Sequence, residues 1–377
     1  MNWKKWIGRT LSYVLVAMAA SVVTLLLWGR QDTKLAELER LIEQRFIGQA
    51  DMEKVKDAAA NAMVQALGDQ WSYYISADDY AAHQENKDNA YVGIGVTIIK
   101  RSGEGFEIME VTEGGPAEEA GVCPGDFITH VDGQDVTGDE TDSLQDMIPG
   151  KVNTTVDLTL RRGQETVAVT VKRKVIHQKA VTGQLLENNI GFVAIDNFHK
   201  DAGKEIIAQV ELLMEQGADK LIFDVRNNPG GYVDELNEAL DYLLPEGPLF
   251  RSVDYKGKES VDESDADCLE LPMAVLVNGN SYSAAEFFAA ALSEYDWAVI
   301  VGEPTTGKGY FQNTIELMDG SALYLSVGKY FTPNGVSLAD VGGLVPDIQA
   351  APAESAVAVT EDPQIQVAVQ VLTEQNP

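Results

Sequence analysis

Apolar and polar residues recur along this chain with a period that changes from region to region. Apolar positions in residues 33–67 repeat every three or four residues, which predicts two amphipathic helices. Their apolar stripes would pack on the protein's own core or on a second copy, so a homo-oligomer is left open. Beyond residue 190, strand-like runs at 190–195 and 220–225 alternate with helix-like segments at 202–216 and 233–244. This alternation predicts an α/β core.

An uncharged apolar stretch runs from Thr10 to Gly29, after a basic N-terminus and before Arg30. The stretch is long enough to span a bilayer, and the preceding positive charges predict a cytoplasmic N-terminus with the body of the protein outside. A cleaved signal peptide is the alternative, because residues 17–19 read Ala-Met-Ala and resemble a small-x-small cleavage site. The apolar sequence continues well past that point, which favours an uncleaved anchor.

The charge and cysteine content exclude several classes of protein. A formal charge of −31 over 377 residues argues against nucleic acid or an anionic membrane surface as partner of the main body. Cys123 and Cys268 are too few for a disulfide framework, and their positions in different predicted domains disfavour, without excluding, a bridge between them. The chain has no His-Glu-x-x-His motif or Cys-His cluster, so we predict no metal, no cofactor and insensitivity to chelators.

A strand-to-helix transition at residues 273–292 carries the first candidate for chemistry. The apolar run ends at an Asn-Gly-Asn turn, and Ser283 follows where an apolar helix would begin. Ser283 and Glu286 form a Ser-x-x-Glu capping box, so a purely structural role is the simplest interpretation. A helix N-terminus also presents unpaired N–H groups and a positive dipole end, which suits a nucleophile that generates an oxyanion. The two roles are compatible.

A serine hydroxyl needs a base before it can act as a nucleophile. The chain has four histidines, which lie among polar neighbours outside any motif: His83, His130, His177 and His199. A Ser-His-Asp triad is therefore poorly supported. Lys308 lies between two glycines directly before a strand-like run. A lysine acts as a base only when desolvation lowers its pKa. The structural alternative is a solvated loop lysine. Gln312, four residues further on, could hold the amine by hydrogen bonding.

The residues from Asn278 to Gln312 resemble the signature of the C-terminal processing peptidases, or tail-specific proteases, which are serine endopeptidases with a Ser-Lys dyad. The family pattern reads Ser-Ala-Ser-Ala-Ser-Glu, then Gly-Glu-x-Thr-x-Gly-Lys-Gly-x-x-Gln. This chain has Ser281-Tyr-Ser283-Ala-Ala-Glu286 and Gly302-Glu-Pro-Thr305-Thr-Gly-Lys308-Gly-Tyr-Phe-Gln312. The resemblance implies that Ser283, Lys308 and Gln312 are the catalytic residues. Tyr282 and Ala285 depart from the commonest family residues, outside the dyad.

A glycine-rich turn, Arg226-Asn-Asn-Pro-Gly-Gly231, follows the strand-like run 220–225. It lacks the Lys-Ser/Thr ending of a phosphate loop. The peptidase family has a nearly identical Asp-x-Arg-Asn-Asn-x-Gly-Gly here, and its glycine turn donates an N–H to the developing oxyanion. The resemblance implies an oxyanion hole formed by Ala284 N–H together with that of Gly230 or Gly231.

Residues 89 to 173 resemble a PDZ domain in three segments that occur in the family's order: Tyr91-Val-Gly-Ile-Gly-Val96, Gly115-Pro-Ala-Glu-Glu-Ala-Gly121 and Gly125-Asp-Phe-Ile-Thr-His-Val-Asp132. In PDZ domains, backbone N–H groups of a loop bind a peptide's terminal carboxylate while the peptide adds to the sheet edge. By resemblance that loop comprises Gly93, Ile94, Gly95 and Val96. A helix over 141–148 is predicted beside the groove, with Leu144 and Ile148 on one face.

The resemblance covers residues 33 to 372, including Asp69-Gln-Trp-Ser-Tyr-Tyr74, to which we assign a structural role. It implies an α/β serine-protease core resembling the crotonase/ClpP-like fold, with a β-rich PDZ domain containing two helices. The predicted organisation is a cytoplasmic N-terminus (1–9), a transmembrane signal-anchor (10–29), a helical segment (30–88), a PDZ domain (89–175), a peptidase core (176–352) and a C-terminal linker and helix (353–377).

The predicted protein is a single-pass cell-membrane serine endopeptidase that cleaves extracytoplasmic proteins after its PDZ domain binds their flexible, apolar C-terminal tails. One alternative is a catalytically inactive PDZ scaffold that binds protein C-termini. The joint presence of Ser283, Lys308 and Gln312 argues against it. Another is an acyl-CoA enzyme of crotonase type, against which the PDZ unit and the location outside the cell argue.

Overall fold

The computed structural model describes Met18 and residues 33–138, 140–141, 143–144, 147–355 and 357–374. The chain divides into two compact units, Met1–Gln70 and Trp71–Pro377. Apart from Met18, the predicted membrane span at residues 10–29 lies outside the described residues. Within the described ranges, no helix combines the length and apolar character that a membrane crossing needs.

The first unit contains the two predicted amphipathic helices. They span Thr33–Arg45 and Met52–Gln65. The second helix begins after Asp51, whose carboxylate accepts from Lys54 N at 3.3 Å, as an N-cap does. An ion pair of 2.8 Å between Lys56 and Glu39 joins the two helices.

The second unit mixes strands and helices. Its helices span Ala77–Lys87, Pro116–Glu119, Ala202–Glu215, Val233–Leu243, Ala284–Glu294, Leu338–Val341 and Pro363–Glu374, with 3-10 turns at Glu187–Asn189 and Val359–Glu361. Its strands span Tyr73–Ile75, Ala90–Gly93, Val96–Arg101, Gly105–Val111, Phe127–Val131, Gln134–Asp135, Thr155–Arg162, Glu165–Lys172, Lys174–His177, Val181–Leu185, Ile190–Ile195, Lys220–Asp224, Gly247–Asp254, Glu259–Ser264, Met273–Val277, Ala298–Gly302, Tyr310–Glu316, Ala322–Phe331 and Ile348–Gln349.

A mostly parallel sheet forms the centre of the second unit. Its strands run in the order Val181–Leu185, Ile190–Ile195, Lys220–Asp224, Met273–Val277, Ala298–Gly302 and Ile348–Gln349, with only the first pair antiparallel. Helices cover both faces, so adjacent residues of one strand enter different cores: Phe223 packs with the helices on one face and Ile222 with the C-terminal helix on the other. The predicted α/β core is confirmed, whereas its likeness to the crotonase/ClpP fold stays a prediction.

An antiparallel sheet lies beside this core and contains Gln312 and Tyr330, two residues of the candidate site. Strand Ala322–Phe331 pairs with Gly247–Asp254, with Tyr310–Glu316 and with Tyr73–Ile75. The segment predicted to be structural therefore supplies an edge strand of this sheet.

The PDZ region forms its own antiparallel sheet, ordered Val96–Arg101, Gly105–Val111, Phe127–Val131, Thr155–Arg162 and Glu165–Lys172. Apolar side chains of these strands, such as Ile128 and Leu158, pack in a core of their own. Helix Pro116–Glu119 is the first of the two predicted helices.

The predicted second PDZ helix, over 141–148, lies partly outside the described residues, and the five positions described there are not helical. Met147 N and Ile148 N both donate to Leu144 O. The carbonyls of Met147 and Ile148 instead accept from the Arg173 guanidinium, at 3.2 and 2.6 Å. Pro149 and Gly150 follow at once and disfavour helix. Leu144 and Ile148 are nevertheless both buried.

The two cysteines lie in different parts of the second unit. Cys123 is exposed, Cys268 is partly buried, and both are free thiols.

Candidate active site

Ser283 lies at a sharp strand-turn-helix transition, between strand Met273–Val277 and helix Ala284–Glu294. Its backbone has φ 60° and ψ −128°, a conformation that residues with a Cβ seldom adopt. Surrounding contacts must hold such strain, which is common at active sites. Here Ser281 Oγ donates to Val225 O at 2.7 Å and Tyr282 N donates to Asn228 O at 3.1 Å. The turn is thereby tied to the end of the neighbouring strand.

The Glu286 carboxylate joins the Ser283 turn to the Lys308 loop. Oε2 accepts from Ser283 N at 3.0 Å, which is the Glu286 side of the predicted capping box, and from Lys308 N at 2.9 Å. Oε1 accepts from Gly307 N at 2.7 Å and from the Thr305 hydroxyl. Glu286 is fully buried, and this burial raises its pKa, while the four hydrogen bonds act in the opposite direction.

The Lys308 loop is packed as tightly as its flanking glycines predict. Gly307 has φ +84°, and a Cβ there would lie 2.8 Å from Gly343 N. A Cβ at Gly309 would lie 2.8 Å from the Ala339 Cβ. No larger residue fits either position without displacing residues 338–343.

Two aromatic rings flank the Lys308 side chain. Lys308 Nζ lies 4.7 Å from the ring centroid of Trp71 and 5.9 Å from that of Tyr282. The two rings contact each other, with centroids 5.7 Å apart. Trp71 therefore belongs to the lysine's surroundings, beyond the structural role that the sequence predicted for its segment.

Gln312 lies on strand Tyr310–Glu316, which follows Lys308. Its side-chain nitrogen donates to the Tyr310 carbonyl and to Ser326 Oγ, both at 3.0 Å. Its role in holding the lysine amine stays a prediction.

The glycine-rich turn lies against the Ser283 turn, as the resemblance implied. Asn227 Oδ1 accepts from the side chains of Asn278 and Asn280, both at 3.0 Å. A Cβ at Gly230, which has φ +85°, would lie 2.8 Å from Ala284 N and from Ser283 Cβ. A Cβ at Gly231 would instead meet the Phe198 carbonyl oxygen at 2.1 Å. Of the two glycines, Gly230 is the one in close contact with Ser283 and Ala284.

The predicted oxyanion donors differ in their present partners. Ala284 is the first residue of its helix, so no carbonyl of that helix can accept from its N–H. Gly230 N donates to Asn228 Oδ1 at 2.7 Å, within its own turn. This amide would have to exchange Asn228 for a substrate oxygen, and the oxyanion role of both donors stays a prediction.

The predicted peptide-binding residues of the PDZ region share one cavity of about 690 Å³. It is lined by Gly93, Ile94, Gly95, Val96, Leu144 and Ile148. The same cavity reaches His199 and Pro229 of the α/β core, and Pro229 directly precedes Gly230. The loop predicted to bind a carboxylate and the glycine-rich turn therefore border one continuous space.

Tyr330 is the site residue that the sequence analysis missed. Its hydroxyl lies 2.9 Å from Ser283 Oγ, and the residue is 3% exposed. No sequence pattern marks Tyr330, because it lies within an ordinary apolar strand 47 residues from Ser283. The Glu286 motif residue was found only as a helix cap, since its contact with Lys308 N joins residues 22 positions apart.

Comparison with known proteins shows the family of this chain. The model of peptidase family S41 matches residues 189–350, and a PDZ domain model matches residues 107–162. The chain is 30% identical over 352 residues to the Staphylococcus aureus (strain N315) protein named "Probable CtpA-like serine protease", covering 89% of this chain and 71% of that protein. It is 32% identical over 339 residues to the carboxy-terminal processing protease CtpA of Bacillus subtilis (strain 168), covering 85% and 72%.

A solved structure gives the same result. The photosystem II D1 C-terminal processing protease superimposes with a TM-score of 0.51 at 26% identity, covering 90% of this chain and 91% of that chain. These relatives favour an enzyme over an inactive PDZ scaffold. The chain therefore belongs to peptidase family S41 and is a serine-type C-terminal processing protease with a PDZ domain.

Proposed function

We propose that this protease uses a Ser283-Lys308 dyad and selects substrates by binding their flexible, apolar C-terminal tails in its PDZ domain. We further propose that residues 10–29 anchor it in the cell membrane with the catalytic unit on the extracytoplasmic side. Its substrates would then be extracytoplasmic proteins with unstructured apolar tails.

The observation that carries the dyad is the shared Glu286 carboxylate. One oxygen, Oε2, accepts hydrogen bonds from the backbone N–H groups of both Ser283 and Lys308, which fixes the two backbone segments relative to each other. In the proposed reaction Lys308, in its neutral form, takes the Ser283 proton while Oγ attacks the peptide carbonyl carbon. Lys308 then protonates the leaving amine, and a water activated by Lys308 hydrolyses the acyl-enzyme. Ala284 N–H and Gly230 N–H would stabilise the oxyanion.

The cavity beside the PDZ loop supports tail recognition. Its walls combine a glycine-containing loop that suits a carboxylate with the apolar side chains of Leu144 and Ile148. A tail seated there would lie next to the turn that carries Gly230. An unstructured tail meets both requirements, because it can add to a sheet edge and still extend toward Ser283.

The membrane proposal rests on the sequence of residues 1–30 alone. An apolar, uncharged stretch follows Lys4, Lys5 and Arg9, which is the charge order of an anchor with its N-terminus in the cytoplasm. The test is alkaline carbonate extraction of membranes from cells that express the full chain, followed by external protease treatment of intact spheroplasts. Recovery in the soluble fraction, or protection of the catalytic unit from protease, would contradict the proposal.

The dyad and the tail preference are tested together on the full chain purified in detergent. Wild type, Ser283→Ala and Lys308→Ala are incubated with an unstructured reporter protein that ends in apolar residues, and with one that ends in charged residues. We expect only wild type to cleave, and to cleave the apolar-tailed reporter faster.

Lys256→Ala is the matched control, because Lys256 also lies over an aromatic ring, 5.2 Å from the Tyr255 centroid, on an exposed turn. It should cleave as wild type does. Cleavage by Lys308→Ala at the wild-type rate would refute the dyad, and equal rates on both reporters would refute the tail preference.

A further inference from the structure

Tyr330 holds its hydroxyl against the proposed nucleophile from within the core. The ring packs edge-on against Phe287, with centroids 4.6 Å apart, and at a tilt against Phe250, with centroids 5.3 Å apart. The side chain is 3% exposed, and its hydroxyl lies 2.9 Å from Ser283 Oγ. The phenol is therefore a fixed group whose polar end is directed at one reacting atom.

The backbone of the same residue is bonded to the Lys308 loop. Tyr330 N donates to Gly309 O at 3.1 Å, one residue beyond Lys308. Tyr330 thus contacts both halves of the proposed dyad, Ser283 through its side chain and the lysine loop through its main chain. The Glu286 carboxylate makes a second, independent connection between the same two segments.

We propose that Tyr330 is a third catalytic residue of this protease, which donates a hydrogen bond from its hydroxyl to Ser283 Oγ throughout the reaction. This inference rests on the proposed Ser283-Lys308 mechanism. It assigns to Tyr330 the tasks of fixing the Oγ position and of stabilising negative charge on Oγ.

The direction of the hydrogen bond follows from acidity. In water a phenol is a stronger acid than an aliphatic alcohol, which makes it the better donor of the two. Burial, with the nearby Glu286 charge, raises the pKa of Tyr330 well above its usual range, so the hydroxyl keeps its proton. Ser283 Oγ accordingly accepts from Tyr330, and its own proton is left available to Lys308.

The hydrogen bond helps both halves of the reaction without any transfer of the Tyr330 proton. In acylation, the Ser283 proton passes to Lys308 while Oγ bonds to the carbonyl carbon and the amine leaves with a proton from Lys308. In deacylation, water loses a proton to Lys308 and adds to the same carbon, the bond from that carbon to Oγ breaks, and Oγ regains a proton from Lys308. Oγ carries negative charge when acylation begins and when deacylation ends, and Tyr330 stabilises it at both points.

The opposite direction would make Tyr330 an inhibitor. If Ser283 donated to the phenol oxygen, its proton would be held away from Lys308, and removal of the hydroxyl would accelerate cleavage. The two directions therefore predict opposite changes in kcat.

The test is Tyr330→Phe in the full chain in detergent, assayed on the apolar-tailed reporter. We expect kcat to fall roughly 10- to 100-fold, the scale for loss of one hydrogen bond to a charge-bearing reacting atom. KM and the preference for the apolar tail should not change, because Tyr330 does not border the PDZ cavity. An unchanged or increased kcat would overturn the proposal.

Tyr295→Phe is the matched control. Tyr295 donates to Pro248 O at 3.0 Å and is the C-cap of helix Ala284–Glu294, about 18 Å from Ser283 at the other end. It removes a comparable phenol hydrogen bond, so we expect a similar loss of thermal stability with wild-type kcat. If both variants lost kcat equally, the effect of Tyr330 would be structural and the proposal would fail.

Two further measurements separate this proposal from the proposed function. Cleavage by wild type but not by Ser283→Ala or Lys308→Ala establishes the dyad, whatever Tyr330→Phe does. A double-mutant cycle of Ser283→Ala with Tyr330→Phe in thermal unfolding measures the contact without turnover. We expect non-additive losses of stability; additive losses would overturn the Tyr330 contact even if wild type showed no cleavage.

Discussion

Replacement of Glu286 by Gln tests whether one buried carboxylate aligns both halves of the dyad. Glu286→Gln keeps the size and shape of the side chain, but one carboxylate oxygen becomes an NH₂ group. That group cannot accept a hydrogen bond, whereas the two oxygens of Glu286 together accept four. The replacement therefore leaves at least one donor without an acceptor.

The cost follows from the least unfavourable orientation of the amide. The NH₂ group would face Thr305, whose hydroxyl can accept, and Gly307, whose N–H then has no acceptor. An unsatisfied buried N–H costs about 1–3 kcal/mol, and the bonds from Ser283 and Lys308 each weaken by about 0.5–1 kcal/mol when the acceptor loses its charge. Relief of the buried charge offsets part of this loss. We expect the free energy of unfolding to fall by about 2–3 kcal/mol.

Stability is measured by denaturant unfolding. Cleavage of the apolar-tailed reporter is measured without denaturant, at a temperature where each variant is folded. The hydrogen bonds from Ser283 N and Lys308 N to residue 286 become weaker, so the two residues are less well aligned. We therefore expect kcat to fall at least about tenfold. Glu205→Gln is the control, since Glu205 Oε2 accepts from Ala180 N and Val181 N at 2.7 and 3.2 Å, outside the active site. It should lose stability and keep kcat. A Glu286→Gln variant with wild-type kcat would refute the alignment role.

Three other predictions concern the oxyanion turn, the PDZ cavity and pH. Gly230→Ala should lower kcat about 100-fold, because its Cβ would meet Ala284 N. The control is Gly257→Ala, at φ +78° with nothing within 4 Å, which should cost only backbone strain and keep kcat. Equal losses of kcat in the two variants would contradict this. Ile148→Ala should raise KM for the apolar-tailed reporter about tenfold and leave the charged-tailed one unchanged; an equal rise for both would argue against the groove. Burial and Lys87 lower the pKa of His83, so the unfolded chain binds more protons than the folded chain below about pH 6.5. Wild type should therefore lose stability relative to His83→Gln as pH falls from 7.5 to 5 in unfolding titrations, and a constant difference would disprove the shift.

The sequence by itself determined those features whose causes lie within a few residues. The strand-turn-helix transition at Ser283 follows from an apolar run, a turn and a Ser-x-x-Glu cap, all local in the chain. The close packing of the Lys308 loop follows from its two glycines, and the α/β class from the alternation of short apolar runs with helical periodicity. Steric limits on the backbone and nearby hydrogen bonds decide these features, so the residue pattern is enough.

Only the tertiary structure decided which distant residues meet. Tyr330 reaches Ser283 because strand Ala322–Phe331 pairs with Gly247–Asp254, and strand register is not written in either strand alone. The Arg173 guanidinium likewise bonds the Met147 and Ile148 carbonyls from 25 or more residues away in the chain. Such contacts depend on where whole elements pack, and a side chain's partner across the core cannot be read from its own neighbours in the chain.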